Sequence, residues 1–296
     1  MDGSRWEETH RKCATPMRED KKPLVSVLMS VYNAEPTLPK AIESILNQTE
    51  EDFEFVICDD GSSDRSWDII SGYNASSEKI QAFRNETNMG LAASLNHCLR
   101  HASGEYIARQ DADDISSPDR LEKTLAYLRE NDCPYAGCGV YIFDDQSVWS
   151  KRMFPEVITK HIIAQYNPFF HPTMIFKRSI ITSADGYRVA KETRRTEDYD
   201  LVMRLAAEGM IGKNLQECLY YVYEPADAYR KHTFQTRWYE ICVRIYGLRK
   251  MKAPLRDYIY LMKPMILCAI PRCFMRILKQ WQWEIKAKIC SLHKLW

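Results

Sequence analysis

Nowhere in the 296 residues is there an uninterrupted run of about 18 apolar residues, so no ordinary membrane-spanning helix is expected. Residues 1–22 are polar and charged and lack the apolar core of a secretion signal; they are predicted to form a loose arm. A glycine-rich phosphate loop, whether of the dinucleotide-binding or the P-loop kind, is also missing. Any nucleotide diphosphate must therefore be held by a metal and side chains rather than by a helix N-terminus. The ten cysteines have no framework spacing. Cys133 and Cys138 form a tidy pair, but no second pair or histidine cluster completes a zinc site. Reduced thiols, several of them buried, in a cytosolic protein are the expectation.

The composition is that of a globular protein, 45% hydrophobic and 27% charged, and the length suits one α/β domain with an appendage. Net charge is only +1, yet it is unevenly spread. Residues 231–296 hold 14 Lys/Arg against three acids, whereas residues 1–230 are net acidic. The division expected is an arm over 1–22, a globular domain over 23–230 and a basic amphipathic helical tail over 231–296.

Residues 24–31 form a β-branched run that reads as a buried parallel strand. Apolar positions Leu38, Ile42, Ile45 and Leu46 have helical spacing. A second strand over 53–58 ends in Asp59-Asp60-Gly61-Ser62-Ser63-Asp64, with Asp64 placed to cap the next helix. A third strand is expected over 80–83, a helix through Leu91, Leu95 and Leu99, and a fourth strand from Tyr106 into Asp111-Ala112-Asp113-Asp114. After Pro118 a helix carries Leu121, Leu125 and Leu128. This alternation predicts an α/β fold, doubly wound around a mostly parallel sheet. Beyond residue 135 the pattern loosens into strands at 135–143, 173–177 and 216–224, a helix near 155–165 and another from Glu197 to Gly209.

In an open α/β sheet, ligands bind outside the carboxyl ends of the strands. Three polar clusters fall at such ends: residues 30–33, 59–64 and 111–114. Carboxylates at Asp111, Asp113 and Asp114 offer hard oxygen ligands to Mg²⁺ or Mn²⁺, although a capped turn has the same composition. An EF-hand is excluded, because Ile115 and Ser116 stand where a ligand and a glycine are needed. Asp59-Asp60-Gly61-Ser62 reads either as a turn or as a carboxylate accepting the N3–H of a uracil ring. Glu197-Asp198-Tyr199-Asp200, at a helix start, either complements the helix dipole or supplies a general base. His171 and His232, taken singly, read as structural or surface residues.

These residues, in order and at this spacing, resemble family 2 glycosyltransferases of the bacterial type that build exopolysaccharide, capsule or lipopolysaccharide. The resemblance runs over residues 23–232, through Tyr32-Asn33, Asp59-Asp60-Gly61-Ser62, Asn88-x-Gly90, Asp111-Ala112-Asp113-Asp114, Pro118-x-Arg120-Leu121, His171-Pro172-Thr173 and Glu197-Asp198-Tyr199-Asp200-Leu201. It implies a GT-A fold, an inverting reaction, a UDP-sugar donor, and Mn²⁺ or Mg²⁺. Ser30 and Tyr32 would flank the base, Asp60 would bond the uracil, and Asp111 would support the ribose or the metal. Asp113 would bind the metal and Asp198 would be the catalytic base. Arg109 would serve the nucleotide side, and His232 would reach the diphosphate or metal. Family members often carry a basic residue near the diphosphate, for which Arg84 is the candidate.

The tail mixes Lys and Arg with Trp, Phe, Ile and Leu, a composition suited to a membrane interface, though helices packed on the domain would look similar. The expectation is a cytoplasmic enzyme, peripheral on the inner face of the membrane, with a glycan or lipid-linked saccharide acceptor and no nucleic acid partner. Alternatives are a non-catalytic nucleotide-sugar-binding subunit or a sugar-phosphate nucleotidyltransferase. The latter would need a glycine-rich N-terminal loop.

Overall fold

A computed structural model of the chain describes residues 22–225 and 234–269. Its first half alternates as expected: β1 (Val25–Val31), α1 (Leu38–Leu46), β2 (Phe53–Asp59), α2 (Ser66–Ser76), β3 (Ile80–Arg84), α3 (Leu91–His101) and β4 (Tyr106–Asp111). Then come β5 (Ile115–Ser116), α4 (Arg120–Glu130), β6 (Tyr135–Phe143), β7 (Val148–Arg152), α5 (Lys160–Gln165), β8 (Ile175–Lys177), α6 (Arg178–Ser183), α7 (Glu197–Ala207) and β9 (Lys213–Tyr223). Last are α8 (Phe234–Lys250), a 3-10 segment over Leu255–Leu261, and α9 (Met262–Ala269).

Among the described residues the strands form one sheet in the order β3-β2-β1-β4-β8-β6-β9-β5, with β7 paired to β6. Strands β3, β2, β1 and β4 run parallel. Strand β8 is antiparallel to both β4 and β6, and β6 pairs with β9 in parallel again. The chain moves outward from β1 to β3 and then returns to place β4 on the other side of β1. That reversal opens a crevice at the carboxyl ends of β1, β2 and β4.

Period-two alternation gives β1, β2 and β4 two buried faces. Val25, Val27, Met29 and Val31 of β1 join Phe55 and Ile57 of β2 under α1, α2 and α4. Leu28, Val56, Cys58 and Ile107 face the other way, against α3, α5, α7 and α8. Helices on both faces explain why these strands read as continuous apolar runs.

The structure departs from the sequence reading where elements are short. Pro172 falls in a 3-10 turn over His171–Thr173, so that strand begins at Ile175. The helix expected near 155–165 is confined to Lys160–Gln165, where the Thr159 side chain caps Ile162 N–H. Asp64 acts one residue ahead of the cap position: its two oxygens accept Ser66 N–H and Glu35 N–H, stapling the β1–α1 loop to the start of α2.

Helix α8, the first of the expected tail, packs on α7. Arg244 is buried and donates to the carbonyls of Ala164 and Gln165, which satisfies the end of α5. Gly247 lets the two helices approach: a Cβ there would lie 2.3 Å from Met203 Sδ and 2.8 Å from Met203 Cβ. Gly247→Val is therefore expected to destabilise the fold by about 1–3 kcal/mol, because a branched side chain overpacks this contact. A thermal melt with an unchanged midpoint would show that the helices separate easily.

Candidate active site

The crevice is built from loops that bind one another. Asp60 N–H donates to the Val31 carbonyl, Asn33 N–H to Ser62 Oγ, and Ser63 N–H to Asn33 Oδ1. Gly61 turns with φ +71°, and a Cβ there would meet the Thr87 backbone at 2.8 Å. These contacts fix the ends of β1 and β2 as a single rim. Asp60 is almost fully buried; its carboxylate accepts Asn85 Nδ2 and the backbone N–H groups of Met89 and Gly90. Two of those bonds fall on Oδ1 and one on Oδ2. Oδ2 is thus the oxygen with more room for a further donor. Ser30 and Tyr32 line the same rim, and Tyr32 is 51% exposed, which leaves aromatic surface open to a stacking partner.

At the end of β4, one carboxylate oxygen from each of Asp111, Asp113 and Asp114 lies within 4.8 Å of the others. Such a set of hard oxygen donors fits a divalent cation of the Mg²⁺ or Mn²⁺ kind. Asp111 is also paired with Arg109, which is buried beneath it. Asp114 is buried and accepts Tyr223 N–H, and burial together with the adjacent aspartates raises its carboxyl well above the usual range. Asp111 and Asp113 are the more exposed members.

The opposite wall is the start of α7 and the loop leading into it. Asp198 accepts Asn167 Nδ2 at 2.8 Å, and burial raises its carboxyl above the usual range against the helix N–H groups that favour its charge. Glu197 is buried beside it and is pushed up to about 7, first by burial and then by the Asp198 charge. Asp200 faces inward, away from the crevice residues. It takes Arg188 through Nε and Nη2 and Arg204 through Nε. Arg188 also lies over the Tyr246 ring of α8 at 4.6 Å. The loop is held further by Thr193, buried and bonded to Ala190 N–H and to the Arg188 carbonyl.

Between the walls is a cleft of about 1030 Å³. It brings together Ser30, Tyr32, Asp60, Arg109, Asp111 and Asp198, which lie far apart in the sequence. Asp113 stands on the adjoining turn. His232 lies outside the described residues. Arg84 does not line the cleft; it pairs with the buried Asp59 at 3.1 Å and donates to the Ser62 carbonyl. His171 is buried and bonded to Tyr187 Oη at 2.9 Å, and burial lowers its pKa well below the usual value. It is a neutral packing residue at the floor. Sequence reasoning passed over Asn167 and the basic side chains of Lys191, Arg194 and Arg195, which also line the cleft or its base. The only available signal was the run of charge just before Glu197.

The sequence signature of Glycosyl transferase family 2 matches residues 26–183. The chain is 44% identical over 256 residues to the putative glycosyltransferase EpsE of Bacillus subtilis (strain 168), covering 86% of this chain and 92% of that one. It is 35% identical over 169 residues to the Escherichia coli UDP-Glc:alpha-D-GlcNAc-diphosphoundecaprenol beta-1,3-glucosyltransferase WfgD, covering 57% and 66% of the two chains. In fold it resembles S. aureus TarS 1-349, solved in complex with UDP-GlcNAc, with TM-score 0.62, 19% identity, and coverage of 79% and 72%. The mannosyltransferase PcManGT from Pyrobaculum calidifontis, solved with GDP-Man and Mn²⁺, superposes with TM-score 0.60 at 16% identity over 92% and 88% of the chains. A doubly wound sheet with a carboxylate cluster at its switch point is thus the GT-A fold, and this chain belongs to glycosyltransferase family 2.

Proposed function

We propose that the protein transfers a sugar from a UDP-sugar to a lipid-linked glycan acceptor with inversion at the anomeric carbon. The observation that carries this reading is the cleft itself, with Ser30, Tyr32, Asp60 and Asp111 on one wall and Asp198 on the other. The uracil stacks at Tyr32 and donates its N3–H to Asp60, while the ribose sits near Ser30 and Asp111. Asp111 and Asp113 hold the divalent cation, Mn²⁺ or Mg²⁺; when bound, it supplies positive charge that stabilises the departing diphosphate. Arg109, buried beneath Asp111, orients that carboxylate.

Across the cleft, Asp198 takes the proton of the acceptor hydroxyl as the oxygen attacks the anomeric carbon. Asn167 fixes the direction of its carboxylate at 2.8 Å. Burial keeps this base more basic than a surface aspartate, which suits proton abstraction from an alcohol. A single displacement from the face opposite the diphosphate inverts the configuration and needs no second nucleophile.

The membrane side of the reading rests on the C-terminal helices. No helix among the described residues is long and apolar enough to cross a bilayer. Leu255 and Ile259 of the 3-10 segment and Met262 and Ile266 of α9 are nevertheless exposed at 89%, 65%, 53% and 53%. The sequence that follows is basic and contains Trp281 and Trp283. Exposed apolar side chains followed in the sequence by basic and aromatic residues suit an anionic lipid surface.

A panel of UDP-sugars with Mn²⁺, scored for UDP release, tests the donor. Asp113→Ala is expected to lower metal-dependent turnover by roughly 10²–10³; full activity would remove Asp113 from the metal site. Asp198→Asn is expected to bind UDP normally and to lose transfer by roughly 10²–10⁴. A protonated base is inactive, so the wild-type rate should fall with pH through a pKa above that of a free aspartate. Glu197, held up at about 7 by burial and by the Asp198 charge, is already protonated where Asp198 titrates, so Glu197→Gln should leave this acid limb in place; a limb displaced by the substitution would make Glu197 the titrating group. For the lipid contact, the protein should co-sediment with phosphatidylglycerol vesicles, and the pair Leu255→Asp and Ile259→Asp should release it. Equal sedimentation of the variant would exclude this face.

A further inference from the structure

The transferase reading leaves three cations in the cleft unused. Lys191, Arg194 and Arg195 line it, all three are exposed, and among the described residues none has an ion-pair partner. The remaining charge in the cleft is negative, from Asp60, Asp111, Glu197 and Asp198, apart from Arg109, which is buried and paired with Asp111. Three unpaired positive side chains within five residues repel one another, so the loop gains from an anion among them. The loop is also prearranged. A 3-10 turn over Lys191–Thr193, the buried Thr193 hydroxyl and the Arg188–Asp200 pair hold its backbone from behind. Arg195 is itself held at φ +66°, a conformation that a non-glycine residue keeps only when its surroundings impose it.

We infer that Lys191, Arg194 and Arg195 form a second diphosphate seat in the cleft, separate from the donor's and taken by the diphosphate of the acceptor. This rests on the transferase reading above. The three residues lie three to seven positions before Asp198, the group that must touch the attacking hydroxyl. In a short acceptor the diphosphate is one sugar ring from that hydroxyl, so its charges fall beside the base and on the base's own loop. The donor diphosphate needs another place, because it must reach the metal ligands Asp111 and Asp113 on the opposite wall. Guanidinium groups bind phosphate oxygens in pairs, and a lysine adds a third mobile charge. Without these cations, an acceptor carrying a diphosphate would meet a cleft of its own sign.

The test uses the full chain with Mn²⁺ and two probes, UDP and farnesyl diphosphate, with farnesol as the uncharged control. Titration by calorimetry follows farnesyl diphosphate binding to protein already saturated with UDP. Wild type should bind both probes together. The double variant Lys191→Ala with Arg194→Ala should bind farnesyl diphosphate roughly tenfold or more weakly while holding UDP within about twofold. Arg195→Gly removes a cation and relaxes the backbone at once, so a parallel loss there cannot be assigned to misfolding. Farnesyl diphosphate binding that is absent in wild type, unchanged in both variants, or matched by farnesol would overturn the inference. A loss of UDP affinity in the variants would overturn it too, by giving the cations to the donor. If wild type fails to bind UDP with Mn²⁺, the donor reading fails instead, and the two failures are told apart by that first titration.

Discussion

Asp200 is the residue on which the geometry of the reacting wall depends. Its side chain is fully buried and satisfied by two arginines, Arg188 from the loop and Arg204 from the next turn of the same helix. Arg204 then reaches the Gly186 carbonyl at 2.7 Å, so loop and helix are tied at both ends. A buried carboxylate stripped of its partners, or buried arginines stripped of theirs, would cost about 3–5 kcal/mol, which makes the arrangement close to all-or-none. Because Asp200 points inward, Asp198, two positions earlier and on the other side of the helix, is turned toward the cleft, which Glu197 at the first position also lines. The motif Glu197-Asp198-Tyr199-Asp200 therefore divides its acids: one for architecture and two for the cavity.

The same division of labour appears at the strand ends. Of Asp59 and Asp60, the first is neutralised internally by Arg84, while the second organises residues 85–90 and still borders the cleft. Of Asp111, Asp113 and Asp114, the last is spent on the Tyr223 backbone. Adjacent carboxylates repel, and these pairs persist because each has one member committed to backbone or arginine. A cavity so rich in acids selects ligands that bring positive charge with them or find it on a neighbouring loop.

The parallel half of the fold was legible in the sequence, because strands buried on both faces leave unbroken apolar runs and helices between them keep a clear period. The strand-end residues Ser30, Asp60 and Asp111 were legible for the same reason, since topology alone sends them to one edge. The irregular half was not. β5, β7 and α6 have two, five and six residues, too few for a periodic signal. Asn167 and the cationic residues of the loop take their places through tertiary contacts such as Arg188 with Tyr246, which leave no mark in local sequence. The docking of α8 was not legible either, because it rests on contacts between distant segments: Gly247 facing Met203, and Arg244 reaching the carbonyls at the end of α5.

Cys58, Cys98, Cys133 and Cys138 are all buried as free thiols. Cys58 directly precedes Asp59 on β2, and Cys98 sits on α3 with its thiol donating to the Met29 carbonyl of β1. Neither sulfur meets solvent unless β1, β2 and α3 part. Their rate of alkylation is therefore a clock for the breathing of the nucleotide rim, built into the native chain and readable without any added label on the site itself.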